Sequence, residues 1–79
     1  MLILYVKDYC PFSARVMREG HAIGVVFEVR NIKDPGIEKE LMERGGKHET
    51  PYLVDTDTNV EMYDSAAIIA YLQKTYGTT

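Results

Sequence analysis

The chain has one cysteine, no tryptophan and three prolines in 79 residues. A single cysteine cannot close an internal disulfide, so the fold needs no oxidising compartment, and a reducing cytoplasm is the expected location. No apolar run approaches the length of a membrane span. No basic leader precedes the apolar segment that opens at Leu2, so no signal peptide is expected. Basic charge is also scarce: nine Lys and Arg stand against twelve Asp and Glu, for a net charge of -3. Binding phosphate chains or an anionic membrane needs a basic patch, so neither nucleic acid nor membrane is expected as a partner. Repeats and low-complexity stretches are missing too. With 46% hydrophobic and 27% charged residues, the chain reads as one ordinary globular domain over residues 1–79.

The apolar pattern gives the order of elements. Leu2 to Val6 is a near-continuous run of β-formers, as expected of a strand covered on both faces. Pro11 to about Ile23 reads as a helix, with Phe12, Val16 and Ile23 near one side. Val25 to Val29 is a second strand, which implies a right-handed parallel crossover. Asp34-Pro35 signals the start of a second helix, carrying Ile37, Leu41 and Met42 to about Arg44 and stopped by Gly45-Gly46. A polar loop, Lys47 to Thr50, ends at Pro51. Tyr52 to Val54 and Val60 to Tyr63 form a hairpin around the turn Asp55 to Asn59. Asp64-Ser65 caps a last helix to about Tyr76, with Ile68 and Leu72, and likewise Ile69 and Tyr76, on overlapping faces. The expected class is α/β, a four-stranded mixed sheet in the order βαβ-α-ββ-α with three flanking helices.

The chemistry centres on Lys7-Asp8-Tyr9-Cys10-Pro11-Phe12-Ser13. Pro11 suits the first helical position, which puts Cys10 at the helix start. Free amides and the positive end of the helix dipole favour an anion there, so the thiol should ionise more easily than a free one. Lys7 adds positive charge nearby. The competing reading of a lone cysteine is a buried small hydrophobe, but Cys10 lies between a polar triplet and a proline. Read locally, Pro51 begins a strand and Asp64-Ser65 caps a helix. His48 is a lone histidine, and no His/Cys cluster has metal-ligand spacing.

Three separated features together resemble the glutaredoxins of the thioredoxin-fold superfamily, whose topology also forms the N-terminal domain of glutathione transferases. Lys7 to Ser13 is similar to Lys-x-x-Cys-Pro-Tyr-Cys, with Ser13 in the place of the second cysteine. Glu49-Thr50-Pro51 is similar to the segment whose proline is cis. Tyr63-Asp64-Ser65-Ala66-Ala67-Ile68-Ile69 is closer to the transferase helix start than to the glutaredoxin Gly-Gly element. The resemblance implies a glutathione site. Thr50, before cis Pro51, would pair with the tripeptide backbone. Asp64 and Ser65 would meet its γ-glutamyl end. Lys7 and Lys47 would face its glycine carboxylate, with Tyr9, Pro11 and Phe12 along the sulfur groove.

With no second cysteine, the implied activity is monothiol reduction of protein-glutathione mixed disulfides. Cys10 is the nucleophile, and Lys7 and Ser13 tune it. The implied partners are glutathione and glutathionylated proteins or small disulfides, and a monomer is expected. Two alternatives remain. One is a [2Fe–2S] carrier in which Cys10 supplies one of four thiolates, although Pro11 replaces the glycine of the cluster-binding Cys-Gly-Phe-Ser. The other is a transferase-like domain that binds or conjugates glutathione.

Overall fold

The computed structural model describes residues 1–77. Seven elements follow the expected order: β1 (Leu2–Val6), α1 (Pro11–Ala22), β2 (Phe27–Asn31), α2 (Ile37–Gly45), β3 (Tyr52–Asp55), β4 (Val60–Tyr63) and α3 (Ser65–Tyr76). They build a thioredoxin-like sheet in the order β2-β1-β3-β4. β1 pairs parallel with β2, Leu4 opposite Val29, and antiparallel with β3, Leu4 opposite Leu53. The β3–β4 hairpin is antiparallel, with Leu53 opposite Met62.

All five residues of β1 are buried, because the strand is central and both its faces are covered. Side chains alternate across a strand, and the two faces feed two cores. Leu2, Leu4, Val6 and Leu53 pack with Val16 of α1 and Ile68, Ile69 and Leu72 of α3. Ile3, Tyr5, Tyr52 and Val54 pack with Leu41 of α2. This is why the opening run carries no polar alternation. Among the described residues, no helix is long and apolar enough to cross a membrane.

The structure corrects several sequence expectations. β2 begins at Phe27, not Val25, and α1 ends at Ala22. The Val25 amide still donates to the Gly20 carbonyl at 3.1 Å, so Val25 belongs to the helix exit and Val26 is left exposed. The buried face of α1 is Ser13, Val16 and Gly20, and Phe12 faces outward. A Cβ on Gly20 would lie 2.5 Å from the Phe27 ring, so glycine there lets helix and strand approach. α2 starts at Ile37 because Gly36 caps it at φ +84, which breaks helical geometry after Asp34-Pro35. Met42 is 41% exposed and adds little to the core. Asp55 lies in β3, not in the turn, and is fully buried.

Candidate active-site cleft

Cys10 ends up where strand, helix and dipole meet. β1 delivers the chain to the loop, Pro11 opens α1, and Cys10 is the N-cap in extended conformation. Its carbonyl accepts from the Ala14 amide at 3.1 Å. The sulfur faces the segment before β3. The Thr50 hydroxyl donates to Cys10 Sγ at 3.6 Å, and the thiol reaches the Thr50 carbonyl at 4.0 Å. The Thr50–Pro51 peptide bond is cis.

Burial acts to raise the Cys10 thiol. It is outweighed by the Ser13 hydroxyl and amide, the Thr50 hydroxyl and the Phe12 amide, which leave the thiol below its ordinary range. Hydrogen bonds to the charged form favour it. The Ser13 hydroxyl is buried and has no partner in conventional hydrogen-bond geometry. As one of the groups that lower the thiol it lies close to the sulfur, and an ionised sulfur is the acceptor that would satisfy it.

A cleft of about 550 Å³ opens at this point. One wall is Lys7, Tyr9, Cys10, Pro11 and Phe12; the other is Thr50, Pro51, Asp64 and Ser65. Asp8, His48, Glu49, Ile32 and Tyr63 complete it. Of the residues singled out from sequence, Ser13 and Lys47 lie outside the cleft lining. The Lys47 ammonium stands 5.9 Å from the Tyr63 ring centre. Lys7 lines the cleft, while the groups that lower the Cys10 thiol are those named above. His48 pairs with Glu38 at 3.2 Å.

Two cleft residues have a positive φ, Tyr9 at 59° and Asp64 at 77°. Such backbone is uncommon for a non-glycine residue and gathers at functional sites. Asp64 also accepts from the Ala66 amide at 3.1 Å, so it caps α3 while turning towards the cleft. Buried Ser65 stands at the first position of that helix, where free amides favour an anion.

Tyr63, like Asp8 and Ile32, lines the cleft without having a site role in the sequence reading. Its hydroxyl donates to the Lys47 carbonyl at 2.6 Å and accepts from the Lys47 amide at 3.1 Å. It thereby pins the loop that leads from α2 to Thr50. A tyrosine at a strand end offers no local signal of this role. Gly45 makes room for it: a Cβ there would overlap the Tyr63 hydroxyl and ring. Gly45→Ala is therefore expected to destabilise the fold by about 1–3 kcal/mol. It should also weaken any ligand held by Thr50. Urea unfolding beside ligand titration checks both effects, and Tyr63→Phe should reproduce the second one.

Comparisons with known proteins agree with this architecture. The family model described as Glutathione S-transferase, N-terminal domain, matches residues 4–79. No curated protein sequence matches. An epsilon-class glutathione S-transferase from the housefly Musca domestica is 26% identical with a TM-score of 0.84, over 100% of this chain and 37% of its own. Glutathione Transferase E6 from Drosophila melanogaster is 29% identical with a TM-score of 0.83, over 100% and 36%. A glutathione transferase homolog from Drosophila mojavensis, solved with bound glutathione, is 28% identical with a TM-score of 0.82, over 98% and 36%. The chain thus spans a little over a third of the length of these transferases. A thioredoxin-like sheet, an N-capping residue facing a cis-proline segment, and a family match over nearly every residue lead to one assignment: the chain belongs to the glutathione S-transferase N-terminal domain family.

Proposed function

We propose that the chain, acting as one unit over residues 1–79, binds glutathione in this cleft and that Cys10 carries out thiol–disulfide exchange by a monothiol route. The observation behind this reading is an N-capping thiol, pulled below the ordinary thiol range, that faces the Thr50 backbone across the cleft. Thr50 would pair with the glutathione backbone. The Ser65 amide and hydroxyl would hold the γ-glutamyl carboxylate at the start of α3, and Asp64 would meet its ammonium group. The bound glutathione of the Drosophila mojavensis homolog supports the choice of ligand.

The reaction balances with one protein sulfur. Cys10 thiolate attacks the glutathione sulfur of a mixed disulfide. The S–S bond breaks, the substrate thiolate leaves and takes up a proton, and Cys10 carries glutathione. A second glutathione thiolate attacks that glutathione sulfur, forms glutathione disulfide and restores the Cys10 thiolate. The chain has no other cysteine for internal resolution.

The family match favours a second reading, in which the cleft binds glutathione for conjugation to an electrophile. A [2Fe–2S] role fits less well. Such a cluster needs four thiolates, of which Cys10 would supply one, a second protomer another and two glutathiones the rest, and Pro11 stands where the cluster-binding motif has glycine. Intact-mass measurement after exposure to glutathione disulfide tests the proposal. One glutathione on Cys10, released by free glutathione, is the expected result. Glutathione binding without an adduct, together with transfer to an electrophile, would overturn exchange in favour of conjugation.

A further inference from the structure

β2 is an edge strand: β1 lies on one side of it and, among the described residues, no strand lies on the other. An open edge is a template for another strand, and proteins blunt it with lysine, proline or a bulge. β2, Phe27-Glu28-Val29-Arg30-Asn31, has none of these. It carries no lysine or proline, and its register runs unbroken from Leu2 opposite Phe27 to Val6 opposite Asn31. The edge is also apolar where it is open. Val26, just before the strand, is 85% exposed, Val29 is 45% exposed and Met17 beside it 38%.

One bond fixes which backbone groups are free. The Ile32 amide donates to the Val6 carbonyl at 2.9 Å. Residues of a strand turn their amide and carbonyl alternately towards one neighbour and the other. Glu28 and Arg30 therefore share the inward row with Ile32, and Phe27, Val29 and Asn31 point outward. The Asn31 carbonyl already accepts from the Asp34 amide at 3.0 Å, so Val29 is the centre of the open stretch.

The side chains select the occupant. A second copy of β2, laid antiparallel with a two-fold axis at Val29, sets Glu28 opposite the partner's Arg30 and Arg30 opposite the partner's Glu28. These are the pairs without hydrogen bonds, where side chains approach most closely, and opposite charges across strands attract. Glu28 and Arg30 already meet within one chain at 2.6 Å, so the pairing closes four charges into a ring of alternating sign. Val29 lies on the opposite face of the strand and meets the partner's Val29 in an apolar layer. The other edge, β4, lacks this complementarity. An axis at Glu61 would oppose like charges, and Glu61 is held by Arg44 at 3.2 Å and by the Tyr52 hydroxyl at 2.7 Å.

We propose that two copies of the chain join through β2, antiparallel about Val29, and so double the four-stranded sheet. A dimer replaces the monomer expected from sequence. The interface is isologous, with the same strand serving both copies. The cleft lies on the other side of β1, towards β3 and α3, so both clefts stay open. The pairing is independent of the chemistry proposed for Cys10.

Sedimentation equilibrium over a concentration series tests it. The average mass of the parent protein is expected to rise from one chain to two. Glu28→Arg sets Arg opposite Arg, and Arg30→Glu sets Glu opposite Glu; each should weaken association by about tenfold. Mixed in equal amounts, the two variants set Arg opposite Glu at every facing pair, and association should recover. Val29→Pro removes the central amide, which an edge strand tolerates, and should abolish the pairing while circular dichroism shows the fold retained. Arg30 also pairs with Glu40; if Arg30→Glu does not fold, Glu28→Arg and Val29→Pro decide the matter. A single-chain mass at every concentration would overturn the proposal. So would a dimer that neither of those two variants weakens, or folded variants that associate no better mixed than alone.

Discussion

Cys10→Ser is expected to reduce disulfide turnover to the uncatalysed level, a loss of at least about a thousandfold. Serine fits the N-cap as well as cysteine does, so the fold should keep its stability, and circular dichroism with thermal melting checks this. The loss follows from arithmetic: no other sulfhydryl exists to replace the one removed. Glutathione affinity should change little, because Thr50 and Ser65 would carry the binding. A variant that still exchanges thiols would place the chemistry elsewhere.

The same sulfur gives a pH signature. In the parent protein the alkylation rate should rise through a midpoint below that of a free thiol, about 8.5. Ser13→Ala and Thr50→Val should each move the midpoint up, since both hydroxyls favour the thiolate. A midpoint at or above the free-thiol value would sink the nucleophile reading.

Asp55→Ala should produce the largest loss of stability, about 2–4 kcal/mol. Asp55 is fully buried and accepts from the Tyr71 hydroxyl at 2.6 Å, from the Tyr76 hydroxyl, and from the Asp57 amide at 3.0 Å. Burial acts to raise its carboxyl, and the Tyr71 and Tyr76 hydroxyls outweigh it and hold the carboxyl below the ordinary value. The unfolded chain therefore binds the proton more readily than the folded one. The contribution is complete above the unfolded value of about 3.9 and is lost as pH falls through the lower folded value. Urea midpoints at pH 3 and pH 7 test this. Asp55→Asn should lower the pH 7 midpoint and flatten the acid limb. An acid limb unchanged in that variant would contradict the assignment.

The sequence revealed those parts of the fold where local chemistry and tertiary role coincide. The apolar run of β1 is unbroken because the strand is central. Pro11 and Asp64 mark helix starts by fixed φ and by capping, and the structure keeps both. β2 and α2 shifted because Gly24 and Gly36 take positive φ, a choice that the sequence permits without requiring. Asp55 reads as a turn residue because aspartate is common in turns, and it does accept from the Asp57 amide; its tyrosine partners lie 16 and 21 positions away. The site divides in the same way. Cys10 and Ser13 sit in one local motif, whereas Thr50, forty residues from Cys10, was reachable only through family resemblance.

The two walls of the cleft rest on unequal foundations. Cys10 follows β1, whose amides are paired within the sheet and should exchange with deuterium only on global opening. Thr50 follows α2, which buries Leu41 alone and should open locally. The cleft is therefore a jaw with one fixed and one compliant side. A ligand spanning it would slow deuterium uptake along α2, well beyond the atoms it touches, and leave β1 unchanged.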